Sequence, residues 1–379
     1  MTILTDARVV QGDQVVEGGW VRWEGERLAE VGRGHPPVDR HRSAGGRLVV
    51  PGFVDIHVHG GGGGSFTTGS AEDGAAVARF HRRHGTTTLL AGLVTAPLAD
   101  LLRQISALAE LVDDEIVAGL HLEGPFLSSA RCGAHPPKLL RAPTRAALEQ
   151  LLCRRPGAVR MATLAPELDG GIDAVAQLAA AGVVPAIGHT DAAYDVAHAA
   201  VDAGARVATH LFNAMRPIHH REPGVAVALM ERPEVVCELI NDGLHLHPSL
   251  VRWVLGTVGE ARAALVSDAI AAAGADDGLY TLGRSTVRVR DGRAELMDGS
   301  SLAGSTLTMD VAFRRVVRCQ GLPVGAAARA AATTPAAVLG LDDVGSIAPG
   351  RLANLVVLEE DLTVRAVLYR GSWVDGRTP

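Results

Sequence analysis

The 379-residue sequence predicts an α/β protein: a (β/α)8 TIM barrel joined to a small β-sandwich that is built from both ends of the chain. Two observations lead to this prediction. Through the middle of the chain, short runs rich in Val, Leu and Ala alternate with Ala-rich amphipathic stretches, which is typical of parallel βαβ units. Both ends instead show short alternating apolar and polar runs, and neither end alone has enough strands for an independent sheet.

Eight predicted strands favour a closed barrel over an open sheet. They cover residues 47–57, 86–95, 116–123, 159–166, 183–189, 205–211, 235–242 and 263–268. Helical stretches such as "PLADLLRQISALAELV" lie between most of them, and eight strand–helix units are the content of a (β/α)8 barrel. The alternative is a doubly wound open sheet, which is weakened because no G-x-G-x-x-G opens a helix after the first strand.

The predicted domains are a β-sandwich from residues 1–50 plus 341–379 and a barrel from residues 51–340. Two long segments interrupt the barrel. Residues 127–140 form a loop after the third strand, and residues 278–305 read as a β-hairpin insertion with a "DG" turn after the eighth. Long loops at the C-terminal face of a barrel usually shape the active site, so we expect both segments to do so.

Composition and charge exclude several classes of function. The formal net charge is −6 and no Lys/Arg tract is present, so we expect no nucleic-acid partner. No apolar run reaches the ~18 residues of a membrane span, and the first residues lack the pattern of a secretory signal. The four cysteines are isolated and form neither a CxxC zinc pattern nor a disulfide framework, which favours a cytoplasmic protein.

Ionisable side chains recur where the predicted strands end, at the edge where barrel enzymes keep their chemistry. The first strand closes with His57 and His59, and period 2 points both imidazoles to the same side. Later strands end in or lead to Glu123, His189, His210, Asn241 with His245, and Asp268. Imidazole and carboxylate are usual ligands of Zn²⁺ and Fe²⁺, and a carboxylate that the metal does not use can act as a general base.

Five glycines, Gly60 to Gly64, follow the two histidines of the first strand. We interpret them as a loop that folds tightly over the metal rim, because glycine has no side-chain bulk and adopts positive φ. The alternative is a flexible linker.

The order HxH, Glu, His, His, Asp resembles the amidohydrolase superfamily. Longer phrases resemble its N-acetylglucosamine-6-phosphate deacetylase family: "PGFVDIHVHG", "GLHLEGPF", "GAHPP", "IGHTDA", "THLFNAM" followed by "REPG", "INDGLHL", "LVSDAI" and "LAGSTLTMD". "HLEGPF" and "THLFNAM" with "REPG" are the phrases specific to this branch. The resemblance covers essentially the whole chain and implies a barrel flanked by a β-sandwich from both termini.

The resemblance also implies roles for the polar residues. Glu123, His189 and His210 would hold a principal divalent metal, and His57 and His59 a second one that Glu123 can bridge. Zn²⁺ or Fe²⁺ are the first candidates, with Co²⁺ and Mn²⁺ as alternatives that sequence does not separate. Asp268 would be the general base and then the general acid for water activated by the metal, and His135 would polarise the substrate carbonyl.

The implied reaction is hydrolysis of N-acetyl-D-glucosamine 6-phosphate to D-glucosamine 6-phosphate and acetate in amino-sugar catabolism. The family's phosphate and sugar contacts match Asn213, Ala214, Arg221 and His245, and the sugar pocket matches Leu302, Gly304 and Ser305. Arg221 would reach in from the other subunit of a homodimer. Alternatives are the same chemistry on N-acetylgalactosamine 6-phosphate, an N-acyl amino acid or a cyclic amide, and a non-catalytic barrel that binds a sugar phosphate.

One position departs from the family pattern. Cys132 stands in the 127–140 loop, where relatives often carry a basic residue. Its two interpretations are an incidental small residue and a redox-sensitive or metal-contacting thiol. The histidine pairs His81/His84 and His219/His220 are expected on the surface or in loops.

Overall fold

The N-terminal part of the chain forms a small sheet of alternating apolar strands. The structure is a computed structural model that describes residues 2–36 and 41–379. The first strands are β1 (Thr2–Gln11), β2 (Gln14–Glu24), β3 (Arg27–Arg33), β4 (Arg42–Ser43) and β5 (Leu48–Pro51). β1, β2 and β3 pair antiparallel in sequence, while β4 and β5 both lie parallel to β1.

The barrel follows directly and confirms all eight predicted strands. They are β6 (Phe53–Val58), β9 (Thr86–Val94), β10 (Gly119–Glu123), β11 (Val159–Leu164), β12 (Val184–Ile187), β13 (Val207–Ala208), β14 (Val236–Ile240) and β15 (Ala263–Val266); a short hairpin, β7 (Gly60–Gly61) with β8 (Gly64–Ser65), follows β6. Neighbouring barrel strands pair in parallel and in chain order. The first predicted run divides at Gly52, because β5 joins the N-terminal sheet and β6 begins the barrel.

The barrel closes between its first strand and the end of its last. The Asp268 N–H donates to the His57 carbonyl at 2.8 Å, and the His59 N–H donates to the Ala269 carbonyl at 2.8 Å. Behind this seam, the buried Asp55 carboxylate accepts the Ser267 hydroxyl at 2.5 Å and the Ser267 N–H at 3.2 Å. Closure therefore places the two histidines of β6 beside Asp268.

Helices cover the outside of the barrel. The α-helices are α1 (Ala71–Arg83), α2 (Leu98–Asp113), α3 (Arg145–Cys153), α4 (Gly171–Ala180), α5 (Tyr194–Asp202), α6 (Gly224–Glu231), α7 (Pro248–Val258), α8 (Met309–Arg318), α9 (Val324–Ala328) and α10 (Thr334–Val338). A π-helical turn, Arg329–Thr333, joins α9 to α10. Single 3-10 turns cover Phe66–Thr68, Ser129–Arg131, Pro137–Leu139 and Val374–Gly376. Within the described residues, none of the helices combines the length and the apolar character needed to cross a bilayer.

Helix α1 shows why these stretches are helical and corrects one prediction. The Ser70 hydroxyl caps its N-terminus by accepting the Asp73 N–H, acidic residues occupy the first turn and basic ones the last. Its apolar face, Val77 and Ala78, packs into the barrel core, and His81 lies on the same face. The expectation that His81 is a surface residue is wrong: it is fully buried, and its Nε2 donates to the Gly60 carbonyl at 2.9 Å.

The insertion after β15 is a three-stranded antiparallel sheet, one strand more than the predicted hairpin. It consists of β16 (Gly278–Leu282), β17 (Ser285–Arg290) and β18 (Arg293–Leu296). The predicted "DG" turn is Asp291–Gly292, whose φ angles of 50° and 74° suit a two-residue hairpin. Val287, Val289 and Ala294 give the insertion an apolar core that includes Ile270 from the segment after β15.

The C-terminal strands complete the N-terminal sheet, as predicted. β19 (Leu355–Leu358) lies between β5 and β20 (Val364–Tyr369), and β21 (Ser372–Trp373) forms the edge. The sheet curls until its two ends meet, since the Trp23 indole N–H donates to the Gly371 carbonyl at 3.0 Å and packs edge-on against Trp373. The predicted sandwich is thus one sheet folded over its own core. The division at residues 1–50 plus 341–379 and 51–340 stays a prediction.

Candidate active site

The predicted ionisable residues meet at the C-terminal mouth of the barrel. His57 and Glu123 are near or at the ends of β6 and β10, and His189, His210 and Asp268 each stand two residues beyond a strand. The last three have left-handed backbone, with φ of 48°, 30° and 48°. Because non-glycine residues adopt this conformation at a cost, its recurrence at three strand ends is typical of a functional site.

Four histidine Nε2 atoms surround the Glu123 carboxylate. Oε1 lies 3.1 Å from His189 Nε2 and from His210 Nε2, and 3.6 Å from His57 Nε2. Oε2 lies 3.1 Å from His59 Nε2. The five residues form two overlapping groups that could each hold an ion, one of His57, His59 and Glu123 and one of Glu123, His189 and His210. Glu123 belongs to both groups, as the sequence implied.

The donor set fits a divalent metal in each group. Within the groups, the Nε2 atoms of His57 and His59 are 3.2 Å apart and those of His189 and His210 are 3.1 Å apart. Two nitrogens at Zn–N distances of a tetrahedral ion lie roughly 3.4 Å apart, which is close to this spacing. The Nδ1 of His189 donates to the Arg131 carbonyl at 2.9 Å, so its Nε2 lone pair is free for an ion.

The electrostatics of the cluster favour ionised carboxylates. Burial alone would raise the pKa of Glu123, but the positive charge of His57 and hydrogen bonds from His135 and His189 hold it well below its usual range. For Asp268, burial is likewise outweighed by His57 and His59, which leave its pKa at about 2. Asp268 Oδ1 is 3.2 Å from His59 Nε2. Asp268 is therefore ionised at neutral pH in the metal-free protein, and an ionised carboxylate is the form that can act as a base.

His135 is neutral, and contacts between Thr95 and its Nδ1 orient the ring. Burial lowers its pKa to about 4. The Thr95 N–H donates to His135 Nδ1 at 3.4 Å, and the Thr95 hydroxyl is 2.9 Å from the same nitrogen. Since Nδ1 accepts, the ring proton is on Nε2, which lies 3.5 Å from Glu123 Oε2. His135 therefore presents an N–H donor to the cavity, the group that a developing oxyanion requires.

A cavity of about 190 Å³ opens above these residues. Most of the predicted site residues line it: His59, Glu123, His135, His189, His210, Asn213, Ala214, His245, Asp268, Leu302 and Gly304. His57 lies beneath the cavity and is fully buried. Leu282 and Ser301 from the insertion complete the wall. Neither arginine nor lysine is among the described residues that line it.

Besides His57, three predicted site residues lie outside the cavity wall. Arg221 is exposed, and its Nη1 is 2.7 Å from His220 Nε2. Ser305 is buried behind Asp268, where its hydroxyl donates to the Ser267 carbonyl at 2.5 Å and its N–H to the Asp268 carbonyl at 2.7 Å. Ser305 thus supports the turn that carries Asp268. Cys132 has a free thiol, and its backbone carbonyl accepts the His135 N–H at 3.0 Å. The functional roles given to these residues stay predictions.

The glycine segment is tight, but for a reason other than the one expected. A Cβ atom on Gly60 would lie 2.7 Å from the Ala271 nitrogen, and one on Gly61 would lie 2.5 Å from the Phe80 ring. The hairpin of β7 and β8 therefore packs against α1 and the segment after β15. None of the five glycines lines the cavity.

Sequence reasoning missed three residues that position the site. Glu238 Oε2 lies 2.9 Å from His57 Nδ1, Thr95 orients His135, and Asp55 fixes the barrel seam. Glu238 and Asp55 carry a signal in the sequence, because each is a charged residue inside an otherwise apolar strand, "VCELI" and "FVDIHV". A buried charge of this kind needs a partner.

The comparisons with known proteins agree with this geometry. Residues 48–374 match the Amidohydrolase family, and the chain belongs to that family. Similar proteins include amino-sugar phosphate deacetylases. The chain is 35% identical to the N-acetylglucosamine-6-phosphate deacetylase of Bos taurus, covering 98% of this chain and 94% of the relative. It is also 35% identical to the N-acetylgalactosamine-6-phosphate deacetylase of Escherichia coli O157:H7, over 86% and 87% of the two chains.

A solved structure is more similar still. A mutant N-acetyl-D-glucosamine-6-phosphate deacetylase from Mycobacterium smegmatis, in complex with N-acetyl-D-glucosamine-6-phosphate, superposes with a TM-score of 0.96. The two chains share 48% sequence identity, and the alignment covers 98% of this chain and 99% of the other.

Proposed function

We propose that this protein hydrolyses the N-acetyl group of N-acetyl-D-glucosamine 6-phosphate, giving D-glucosamine 6-phosphate and acetate, in the breakdown and recycling of amino sugars. It is a hydrolase that acts on a linear amide. The observation that carries the proposal is the grouping of four histidine Nε2 atoms around Glu123, with Asp268 Oδ1 only 3.2 Å from His59 and a neutral His135 at the same mouth. Relatives with 35% to 48% identity that carry this activity in their names support it.

The side chains divide the reaction among them. When bound by Glu123, His189 and His210, or by His57, His59 and Glu123, a divalent ion would supply Lewis-acid chemistry for the acetyl carbonyl and for water. Asp268 accepts the proton of the attacking water as the new C–O bond forms. His135 donates its Nε2–H to the carbonyl oxygen as negative charge develops there. When the amide C–N bond breaks, Asp268 returns its proton to the departing amine, which restores the carboxylate.

The metal in this proposal is one or two divalent ions per chain. Zn²⁺ or Fe²⁺ suits the imidazole and carboxylate ligands, with Co²⁺ and Mn²⁺ as alternatives. Glu123, His189 and His210 would hold the principal ion, and His57 and His59 the second. The four free cysteines and the amino-sugar substrate support a cytoplasmic location, which is part of the proposal.

Binding of the phosphosugar is proposed to involve a second chain. Asn213, the backbone of Ala214 and His245 line the cavity and offer donors to the sugar and phosphate, and Leu302 and Gly304 border the sugar. Because the described lining residues include no guanidinium or ammonium group, we infer that the phosphate receives its cation from Arg221 of a partner subunit in a homodimer.

An exposed apolar face supports the second copy. Leu250 and Trp253, three residues apart on α7, are 39% and 45% exposed. Phe212 stacks against Trp253, so this face adjoins the segment that carries Asn213 and Ala214. Apolar side chains exposed side by side commonly mark an interface between proteins.

Acetate release tests the proposed function. The metal-loaded protein is assayed on N-acetylglucosamine 6-phosphate, N-acetylgalactosamine 6-phosphate, unphosphorylated N-acetylglucosamine and an N-acyl amino acid. We expect the first substrate to have the highest kcat/KM, chelation to abolish turnover, and Asp268→Asn to bind the phosphosugar without hydrolysing it. A higher kcat/KM for N-acetylgalactosamine 6-phosphate would identify that compound as the substrate instead. Binding without acetate release by the metal-loaded protein would favour the non-catalytic sugar-phosphate barrel.

Cys132 is tested separately. Alkylation of the metal-free protein followed by metal loading leaves the acetate-release rate unchanged if the thiol is an incidental small residue. A lower rate, absent in Cys132→Ser, would support the redox-sensitive or metal-contacting interpretation.

A further inference from the structure

Glu238 is a buried carboxylate beneath the metal groups, on the inside of β14. Its side chain is fully buried, and burial of an unpaired charge is costly. Among the described residues its hydrogen-bond partners are two: Oε2 lies 2.9 Å from His57 Nδ1 and accepts the His210 N–H at 3.0 Å. Oε1 has no hydrogen-bond partner there. The carboxylate thus makes its contacts only with residues of the proposed metal groups.

The contact with His57 fixes which ring nitrogen carries the proton. Because a carboxylate oxygen accepts, His57 Nδ1 must donate, and Nε2 is the ring nitrogen that is left to bind an ion. That Nε2 lies 3.2 Å from His59 Nε2 and 3.6 Å from Glu123 Oε1, inside the first group. By contrast, the Nδ1 atoms of His59 and His210 have no hydrogen-bond partner among the described residues. In each group, therefore, one histidine donates a hydrogen bond from Nδ1: His57 to Glu238 and His189 to the Arg131 carbonyl.

We propose that Glu238 is a positioning residue that sets the affinity of the His57–His59–Glu123 group for its ion. The inference deepens the proposed function, since it rests on the proposed two-ion centre. Glu238 reaches the other group only through the backbone N–H of His210, while it holds His57 by the ring itself. Loss of Glu238 should therefore weaken the two groups unequally. Removal of such an outer partner of a ligand histidine typically lowers metal affinity about 10- to 100-fold.

Three variants test whether Glu238 acts through its hydrogen bond to His57 or only by filling space in the core. Glu238→Leu removes the acceptor but keeps a side chain of similar volume. Glu238→Gln keeps an oxygen that can accept from His57 Nδ1. The matched control is Asp310→Leu, which removes another largely buried carboxylate with a histidine partner, 3.3 Å from His84 Nδ1, and which does not line the cavity. If Glu238→Leu does not fold, Glu238→Asp replaces it, because the shorter carboxylate cannot span both partners.

The measurement is the binding of Co²⁺ to metal-free protein at graded free concentrations. Ions per chain come from elemental analysis after equilibrium dialysis, and the visible Co²⁺ absorption reports the ligand geometry. We expect two ions for the wild type and Asp310→Leu, and one tight ion for Glu238→Leu or Glu238→Asp, with the second bound about 10- to 100-fold more weakly. Glu238→Gln should recover the second ion.

The opposite results overturn the inference. The inference is wrong if Glu238→Leu binds the second Co²⁺ ion as tightly as the wild type, or if it loses both ions equally. It is also wrong if Glu238→Gln does not regain the second ion, or if the wild type binds only one ion. Acetate release is measured on the same samples. A wild type that holds two ions and loses one with Glu238→Leu, yet releases no acetate, would contradict the proposed function and leave the role of Glu238 standing.

Discussion

At the residue scale, two buried neutral histidines, His81 and His135, use their ring nitrogens in different hydrogen bonds. Burial lowers the pKa of both His81 and His135 to about 4. His81 uses its Nε2–H to hold the Gly60 carbonyl, which anchors the hairpin after β6. His135 uses Nδ1 as an acceptor from Thr95 and keeps its Nε2–H free at the cavity. The two rings thus differ in where the Nε2–H points: to a backbone carbonyl in His81 and to the cavity in His135, for which we propose a catalytic role.

His135→Asn tests the catalytic case. The substitution removes the Nε2–H donor, and loss of one oxyanion donor typically lowers kcat by about 10²- to 10³-fold. His135 belongs to neither group of metal ligands, so the number of ions per chain should stay that of the wild type. Steady-state acetate release and elemental analysis measure the two quantities. A variant that loses an ion, or one that keeps the parent kcat, would contradict the assigned role.

His81 predicts a specific dependence of stability on pH. Burial lowers its pKa from 6.5 to about 4, so between these values the unfolded chain binds a proton that the folded chain does not. The stability due to the neutral ring is present above pH 6.5 and is lost as the pH falls toward 4. The loss between pH 7 and pH 5 is about 2 kcal/mol.

Urea unfolding of the metal-free protein at pH 7 and pH 5 measures this loss. His81→Gln can still donate to the Gly60 carbonyl but does not titrate. Its free energy of unfolding should therefore fall by about 2 kcal/mol less than that of the wild type over the same pH interval. Equal losses in the two proteins would show that His81 takes up no proton on unfolding.

At the element scale, the insertion of β16, β17 and β18 braces the loop that carries His135. The Ser285 hydroxyl donates to the Ala134 carbonyl at 2.9 Å, one residue before His135. Arg284 pairs with Asp100 of α2 at 2.6 Å, and Leu282 enters the cavity wall. The turn between β16 and β17 therefore links the outer helix α2 to the loop that carries His135.

Ser285→Ala tests this brace. A net hydrogen bond contributes about 1 kcal/mol, so its loss should lower kcat/KM roughly fivefold if the bond holds His135 in place. Thr286→Ala is the matched control, because Thr286 is the next residue of β17 and is exposed. Steady-state kinetics with the phosphosugar compare the two variants. Equal effects of both substitutions would mean that the Ser285 contact does not position the loop.

The sequence predicts the strands and helices better than it predicts which buried side chains contact each other. Runs of Val, Leu and Ala mark all eight barrel strands, because fully buried parallel strands are apolar on both faces. The ends of those strands reveal Glu123, His189 and Asp268, since polar residues stand out there. Glu238 was missed because its partner His57 is 181 residues away, and which side chains meet across a barrel depends on its register. The extra strand of the insertion, β16, was missed because the predicted "DG" turn joins only β17 and β18 and the apolar pattern of β16 is short.

At the scale of the whole molecule, backbone hydrogen bonds join the first barrel strand to the end of the last, while the described residues that line the cavity offer the proposed phosphate no arginine or lysine. Closure between β6 and the end of β15 joins His57 and His59 to Asp268 within one chain. The cavity lining nevertheless includes no arginine or lysine among the described residues, and Arg221 lies exposed outside it. The proposed homodimer would account for the position of Arg221, because a two-fold axis makes each subunit donate the group that it receives.

Arg221→Ala alone is expected to act on substrate binding. Loss of a charge-assisted contact worth about 1.5–3 kcal/mol should raise KM for the phosphosugar about 10- to 100-fold, with a smaller effect on unphosphorylated N-acetylglucosamine. Metal content should not change, since Arg221 is in neither ligand group. A proportional effect on both substrates would contradict a phosphate contact.

Mixing of two defective variants decides whether Arg221 acts across the interface. In a dimer of one Arg221→Ala chain and one Asp268→Asn chain, the site of the first chain has its own Asp268 and its partner's intact arginine, while the other site has both defects. Random assembly of equal amounts makes half of the dimers mixed, so about a quarter of all sites should regain wild-type KM and kcat. Co-expression with two tags provides the mixed dimers. Asp268→Asn mixed with His135→Asn is the control, because each chain then disables its own site and no site is restored. Absence of recovery in the first mixture would place every group of the active site on a single chain and remove the reason for the dimer. Recovery in the second mixture would instead mean that Asp268 or His135 acts across the interface.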